Sequence, residues 1–234
     1  MYKYILFDFD GTVFDTVEGI TKSVQYALAK RGIEAELDSL RCFAGPPLVD
    51  MFMEKFDLTQ EEAEAATEDF RERYQPIGLY ECRVFPGIKE LLHALIGAGL
   101  HVGIATSKPQ HLAEKLLEGE GMLELFEVIS GSDSDGNNNS KAAVLTRAMN
   151  ALGADKKETV LVGDTKYDVA GAKACGVDCI GVRYGYAAEG ELASAGADHI
   201  VNDLQQLKAL LLNEEGESMF RPMRRKTRAI SDEA

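Results

Sequence analysis

Residues 4–16 read Y-I-L-F-D-F-D-G-T-V-F-D-T, an apolar run that ends in two aspartates and a turn. The first four of these residues have the length and composition of a buried parallel strand. Asp8 and Asp10 follow, and Gly11 permits a sharp turn that a side chain would obstruct. Because side-chain direction alternates along extended backbone, the two carboxylates point the same way and repel each other unless a cation or a shared proton intervenes. The stretch therefore predicts a strand end that binds a ligand, although the pattern alone also fits a solvated polar turn.

The composition is that of an ordinary globular protein: 234 residues, 45% apolar and 27% charged, with a net charge of −14. This negative charge argues against a nucleic-acid-binding surface, and no apolar run is long enough to cross a membrane. The N-terminus lacks the pattern of a secretion signal, and the four cysteines lack the spacing of a zinc site. We therefore expect a cytoplasmic protein with reduced thiols and neither nucleic-acid nor membrane partners.

From residue 83 onward, short apolar runs alternate with helical patterns, which predicts βαβ units and a parallel sheet. Residues 16–79 instead read as consecutive helices without a convincing strand. The predicted fold is α/β, a doubly wound parallel sheet with a small all-helical cap inserted after the first strand. Residues 1–15 and 80–212 form the predicted core, residues 16–79 the cap, and residues 213–234 a flexible polar tail.

Other predicted strands also end in polar residues. Thr106 follows one strand, Asp164 follows another, and Lys141 lies near the start of a helix after a third. Because ligands of open α/β sheets bind at the carboxyl ends of the strands, these side chains converge on Asp8 and Asp10. Taken singly, each fits an ordinary role as a helix cap, a solvated lysine or a turn residue. Their arrangement at successive strand ends favours a common site.

Acids, a hydroxyl and a lysine around one point are the parts of a phosphoryl-transfer site. Asp8 would attack phosphorus, and Mg²⁺ would bridge Asp8, Asp164 and a phosphate oxygen. Lys141 and the Thr106 hydroxyl would neutralise and orient the remaining oxygens. Asp10 would donate a proton to the leaving oxygen and then activate the water that hydrolyses the aspartyl-phosphate.

The same residues resemble the four motifs of the haloacid dehalogenase superfamily, which are read here as Asp8-Phe9-Asp10-Gly11-Thr12, Thr106, Lys141, and Gly163-Asp164 with Asp168. The resemblance implies a nucleophile at Asp8 and an acid–base at Asp10. It implies metal ligands at Asp8, Asp164 and the backbone carbonyl of Asp10, with Asp168 supporting the metal or the lysine. The implied phosphate ligands are Thr106, Ser107 and Lys141.

The predicted cap resembles that of the phosphoglycolate-phosphatase-like group, with its glycine-proline loop at residues 45–47, and the run at residues 182–186 resembles the same group. Candidate specificity residues are Gly45, Pro46 and Lys22. The acid at Asp10 sets the chain apart from dehalogenases and transport ATPases. Residues 137–140 read N-N-N-S where relatives often carry another basic residue, which leaves Lys141 as the expected phosphate cation.

We expect a Mg²⁺-dependent phosphomonoester hydrolase that acts on a small phosphorylated metabolite such as phosphoglycolate, as a monomer or homodimer. A 5'-nucleotidase acting on nucleoside monophosphates is the alternative with the same chemistry. A phosphomutase shares every core residue and differs in returning the phosphate to the same substrate. A non-catalytic phospho-receiver or binding module is the alternative from another class, but a receiver would be much shorter and would lack the cap.

Overall fold

A computed structural model describes residues 1–133 and 140–213, and its centre is a six-stranded parallel sheet of order β5-β4-β1-β6-β7-β8. The strands are β1 (Tyr4–Phe7), β2 (Phe14–Asp15), β3 (Arg83–Val84), β4 (His101–Pro109), β5 (Val128–Ser132), β6 (Thr159–Gly163), β7 (Asp178–Val182) and β8 (His199–Val201). The helices are α1 (Val17–Ala29), α2 (Leu48–Phe56), α3 (Gln60–Tyr74), α4 (Ile88–Gly97), α5 (Gln110–Gly119), α6 (Lys141–Leu152), α7 (Lys166–Cys175), α8 (Glu191–Ala195) and α9 (Leu204–Leu212). This arrangement confirms the predicted α/β fold.

Strand β1 lies between β4 and β6 and is covered on both faces, which is why its apolar residues are continuous. Ile5 and Phe7 belong to one hydrophobic cluster, and Leu6 belongs to a second cluster on the opposite face. In the register of the sheet, Phe7 is paired with Ile104 of β4 and with Val162 of β6. The residues that follow these positions therefore emerge together at the carboxyl edge of the sheet.

Helices α1 to α3 and a 3₁₀ helix (Leu37–Phe43) form an all-helical lobe between β2 and β3. Helix α3 begins at a capping box, in which Thr59 and Glu62 bond each other's backbone N–H groups, as the spacing of Thr59 and Glu62 indicates. The lobe has its own aromatic packing, with the rings of Phe43 and Phe52 5.0 Å apart. The division of the chain at residues 16 and 79 stays a prediction.

Two short strands, β2 and β3, pair antiparallel where the chain enters and leaves the lobe. This pair is not predictable from the sequence, because two residues are too few to show an alternating pattern. Strand β4 also extends to Pro109, four residues beyond the end predicted from the apolar run. Its pairing with β5 shifts between Ala105 and Pro109, an irregularity of the kind that redirects side chains next to functional sites.

Within the described residues, no helix is both long and apolar enough to span a bilayer. Residues 137–139 of the N-N-N-S run and all but the first residue of the predicted tail lie outside the described residues.

Candidate active site

Asp8 lies at the carboxyl end of β1 with only 5% of its surface exposed. Its Oδ1 is 2.6 Å from Nζ of Lys141, the first residue of α6. The same ammonium lies 2.8 Å from Oδ1 of Asp168 and donates a hydrogen bond to the carbonyl of Ala105 at 3.3 Å. Lys141 therefore joins the end of β1 to the end of β4 and to helix α7 through one buried charge.

Asp164 follows β6 and is completely buried. Its Oδ2 accepts a 2.7 Å hydrogen bond from the backbone N–H of Tyr186, and its Oδ1 lies 3.4 Å from the hydroxyl of Thr12. A Cβ at Gly11 would lie 2.1 Å from Oδ2, and a Cβ at Gly185 would lie 2.3 Å from the same atom. The carboxylate of Asp164 therefore fits only because both neighbours lack side chains.

Asp168 supports the site from the first turn of α7. Its Oδ2 accepts hydrogen bonds from the backbone N–H and the hydroxyl of Thr165, at 3.0 and 2.8 Å. Its Oδ1 faces Lys141, so both oxygens are already engaged. Asp168 was expected to support the metal or the lysine, and in the structure it contacts the lysine; its role stays a prediction.

The carboxylates of Asp8, Asp164 and Asp168 place one oxygen each within 4.8 Å of one another. Three carboxylates against the single charge of Lys141 leave two surplus negative charges in a buried space. Burial raises the pKa of Asp8 to about 6, against the opposing pull of Lys141. Burial, together with the charges of Asp168 and Asp8, raises the pKa of Asp164 well above its ordinary value. A divalent cation would neutralise the surplus charge, and an all-oxygen donor set suits Mg²⁺.

Asp10 lies beside this cluster in the turn after β1. Its Oδ1 accepts a 2.8 Å hydrogen bond from the hydroxyl of Thr16 and lies 3.0 Å from Nζ of Lys108. Thr106 is buried, and its hydroxyl accepts a 3.2 Å hydrogen bond from the backbone N–H of Lys108. Ser107, the other predicted phosphate ligand of this strand, is half-buried.

Lys108 has no predicted role, although it stands two residues after Thr106. Residues two apart on a regular strand share a face, and this spacing is the signal that could have pointed to Lys108. What the spacing does not show is that the side chain is 3% exposed and paired with Asp10.

Of the three candidate specificity residues, Gly45 and Pro46 lie in a loop that reaches the core, whereas Lys22 is engaged in ion pairs. A Cβ at Gly45 would lie 3.6 Å from Cγ2 of Thr165, so the lobe loop reaches the core beside Asp164. Pro46 is half-buried in the same loop. Lys22 instead forms ion pairs with two acids, Glu18 at 2.6 Å and Glu81 at 3.2 Å.

The loop after β7 forms hydrogen bonds to the turn at the end of β1 and to the start of α1. The hydroxyl of Tyr186 accepts hydrogen bonds from the backbone N–H groups of Thr16 and Val17 at 2.6 and 3.1 Å, at the start of α1. The hydroxyl of Tyr184 donates to the carbonyl of Thr12 at 3.0 Å. The tyrosines of the 182–186 run therefore position the first turn of the lobe, a role that the sequence resemblance did not specify.

Residues 5–182 match the family model described as haloacid dehalogenase-like hydrolase. The chain belongs to this family. The 5'-nucleotidase of Pseudomonas aeruginosa is 41% identical to this hydrolase over 90% of the present chain and 96% of its own. A phosphoglycolate phosphatase of Cupriavidus necator is 35% identical over 88% and 92%. These relatives confirm the predicted phosphatase and its phosphoglycolate-phosphatase-like group.

The crystal structure of a predicted phosphatase from Clostridium acetobutylicum has a TM-score of 0.88 and 40% identity to this hydrolase, over 91% of the present chain and 99% of that one. A protein named tyrosine-protein kinase PtkA, from Mycobacterium tuberculosis, is 37% identical over 79% of the present chain. The match spans 63% of the length of that relative. The similarity to the phosphatases, in contrast, extends over nearly their whole length.

In the metal-free hydrolase, Asp8 is expected to titrate near pH 6, because burial outweighs the attraction of Lys141 and raises its pKa to about 6. Between its ordinary pKa of 3.8 and this value, the folded chain keeps a proton that the unfolded chain releases. This group therefore lowers the free energy of unfolding as pH rises through that window. Carbon-13 NMR of the aspartate carboxyls would measure the midpoint, and Mg²⁺ should move it downward. A midpoint near 3.8 in the presence of chelator would contradict the expectation.

Gly185→Ala is expected to destabilise the hydrolase by about 1–3 kcal/mol and to weaken metal binding. The new Cβ would lie 2.3 Å from Cβ of Asp164 and 2.5 Å from the carbonyl oxygen of Gly11, so the carboxylate would have to move. Gly97→Ala is the matched control, because a Cβ there has nothing within 4 Å and lies in helix α4. Thermal unfolding and titration calorimetry with Mg²⁺ would compare the two. Equal stability and equal Mg²⁺ affinity in both variants would contradict the conclusion that the carboxylate of Asp164 needs the space left by Gly185.

Proposed function

We propose that this hydrolase cleaves small phosphate monoesters with the help of Mg²⁺, through an aspartyl-phosphate formed on Asp8. The observation that carries the proposal is the buried set of three carboxylates beside Lys141, with two surplus negative charges. Such a set is costly to bury without a cation, and it fits a divalent metal and an anionic phosphate together. Asp8, Asp164 and the carbonyl of Asp10 are the proposed metal ligands.

The proposed chemistry has two displacements at phosphorus. In the first, a carboxylate oxygen of Asp8 forms a bond to phosphorus while the ester P–O bond breaks, and Asp10 gives a proton to the leaving oxygen. In the second, a water oxygen forms a bond to phosphorus while Asp10 takes a proton from that water; the bond between phosphorus and the Asp8 oxygen breaks, which releases inorganic phosphate and regenerates the carboxylate. Bound Mg²⁺ would supply positive charge that offsets the repulsion between Asp8 and the phosphate.

Lys141 and Thr106, with Ser107, are the proposed partners of the phosphate oxygens. Lys141 is fixed by Asp8 and Asp168, and burial of its ammonium is more than offset by these two acids, so that its pKa is raised. A lysine that stays charged in a water-excluded site stabilises the negative charge of a transferring phosphoryl group strongly. Lys141 is therefore suited to be the second positive charge of the site, beside the proposed Mg²⁺.

The proposed substrate is a small phosphorylated metabolite, with phosphoglycolate and nucleoside monophosphates as the two candidates. Relatives named for each are similar over nearly their full length, and the 5'-nucleotidase has the higher identity of the two quoted. The Gly45 loop approaches Thr165, the residue after Asp164, and this approach supports a role for the loop in the choice of substrate. We propose residues 16–79 as the cap that closes over the substrate, with Gly45 and Pro46 as its specificity residues.

We also retain as proposals a cytoplasmic location, a monomeric or homodimeric state and partners limited to small phosphate esters. The four cysteines are all free thiols in the structure, which supports a reducing compartment.

Phosphate release from a panel of phosphoglycolate, nucleoside monophosphates, sugar phosphates and pyrophosphate, with Mg²⁺ or with chelator, tests the function. The expected result is metal-dependent release from one or two compounds. Hydrolysis that persists fully in chelator would overturn the metal requirement. Absence of release from every compound, with a folded protein, would favour a phosphomutase or a phosphate-binding module instead.

A further inference from the structure

Lys108 is a buried charge that the proposed chemistry leaves without a role. Its side chain is 3% exposed, and its Nζ lies 3.0 Å from Oδ1 of Asp10 and 2.6 Å from the hydroxyl of Tyr74. The ammonium also lies over two aromatic rings, 5.5 Å from the centroid of Phe9 and 5.0 Å from that of Tyr74. A lysine enclosed in this way loses most of its freedom to move.

The contact joins three separate parts of the chain. Lys108 belongs to β4 of the sheet, Asp10 to the turn after β1, and Tyr74 is the last residue of α3 in the helical lobe. A displacement of the lobe that moves Tyr74 would therefore act on the lysine that contacts Asp10.

Lys108 forms a buried ion pair with Asp10 and also contacts the hydroxyl of Tyr74. Lys108 and the Thr16 hydroxyl both contact Oδ1 of Asp10. Among the described residues no donor contacts Oδ2 of Asp10, and we assign proton exchange with a substrate to that oxygen.

We propose that Lys108 is a positioning residue that orients the carboxyl group of Asp10 and couples this orientation to the lobe through Tyr74. The inference rests on the proposed function, since it takes proton transfer by Asp10 as part of the reaction. Lys108 is not among the predicted site residues. Through it, the contact between the lobe and the sheet would affect the orientation of Asp10.

The proposal makes the contribution of Lys108 depend on the leaving group. When the ester P–O bond breaks, its electron pair passes to the ester oxygen, which takes a proton from Asp10 if it would otherwise leave as an alkoxide. An alkyl phosphate needs that proton, whereas p-nitrophenolate leaves readily without it. Misplacing Asp10 should therefore slow alkyl esters much more than aryl esters.

Lys108→Met is the direct test, with kcat/KM measured for p-nitrophenyl phosphate and for the alkyl phosphate that the wild type hydrolyses fastest. This ratio reports the steps up to release of the first product and not the later hydrolysis of the phosphoenzyme. We expect about a 10²-fold loss for the alkyl ester, the lower range for an acid–base contribution, and less than about a tenfold loss for the aryl ester. Tyr74→Phe removes one partner of Lys108 and should show a smaller loss with the same selectivity.

Lys115→Met is the matched control, because Lys115 is exposed and lies 5.3 Å over the ring of Tyr80, a second lysine–tyrosine contact. This substitution should leave kcat/KM unchanged for both substrates. Equal losses for the two substrates in Lys108→Met, or no loss, would overturn the proposal. If Lys108→Met does not fold, Tyr74→Phe decides by the same comparison. A folded wild type that hydrolyses neither ester would instead overturn the proposed function itself, and this inference with it.

Discussion

Asp8→Asn is expected to lower kcat/KM for the best substrate by about 10⁵-fold or more, the scale seen when an enzyme loses its nucleophile. The amide has nearly the volume of the carboxylate, but it carries no negative charge with which to attack phosphorus. The covalent step is therefore lost while the turn after β1 keeps its shape. Steady-state kinetics would measure the loss, and mass spectrometry of the quenched protein should detect phosphoenzyme only in the wild type.

The same substitution is expected to raise the stability of the metal-free protein. The pKa of Asp8 is about 6 against an ordinary 3.8, so its ionised form costs up to about 3 kcal/mol near neutral pH. Asp38→Asn, at an exposed position, is the control and should change neither property. Wild-type rates in a folded Asp8→Asn protein would disprove the aspartyl-phosphate mechanism, and a fall in its melting temperature would disprove the electrostatic argument.

Lys141→Met is expected to lower activity by about 10²- to 10³-fold and to destabilise the protein by about 3 kcal/mol at pH 8. Removal of the ammonium leaves Asp8, Asp164 and Asp168 buried without the lysine that now contacts two of them. The loss of stability should shrink at pH 5, because the carboxylates can then take up protons instead.

Denaturant unfolding at the two pH values would measure this effect, with Lys157→Met, at an exposed position, as the control. Equal stability of Lys141→Met and the control at pH 8 would contradict the prediction. Asp8→Asn and Lys141→Met should thus both lose activity while their stabilities shift in opposite directions. A purely structural ion-pair cluster would lose stability in both variants.

The parts of the molecule that sequence reasoning predicted are those specified by local pattern. The apolar run before Asp8 and the polar residues at later strand ends can each be recognised from a few neighbouring positions. Their convergence follows because the strand ends of a parallel sheet share one edge. The structure places Asp8, Asp164 and Lys141 together, and the sheet confirms the predicted fold.

The parts that sequence reasoning missed depend on contacts between distant segments. The bond between Lys108 and Tyr74 joins residues 34 positions apart, and no spacing rule for a helix or strand connects them. The hydroxyl of Tyr186 meets the start of α1 across 170 positions. The ion pairs of Lys22 with Glu18 and Glu81 are also contacts that the sequence does not show, and its predicted contact with substrate stays a prediction.

The antiparallel pair of β2 and β3 has a consequence for how this protein can change over evolutionary time. Phe14 lies directly opposite Val84, so the inserted segment begins and ends at neighbouring points of the backbone. A segment with adjoining ends can be lengthened, shortened or exchanged without altering the distance that the remaining chain must bridge. On the proposed role of the lobe as a cap, exchange of this segment would change selectivity while the strand ends that hold Asp8 and Asp164 stay the same.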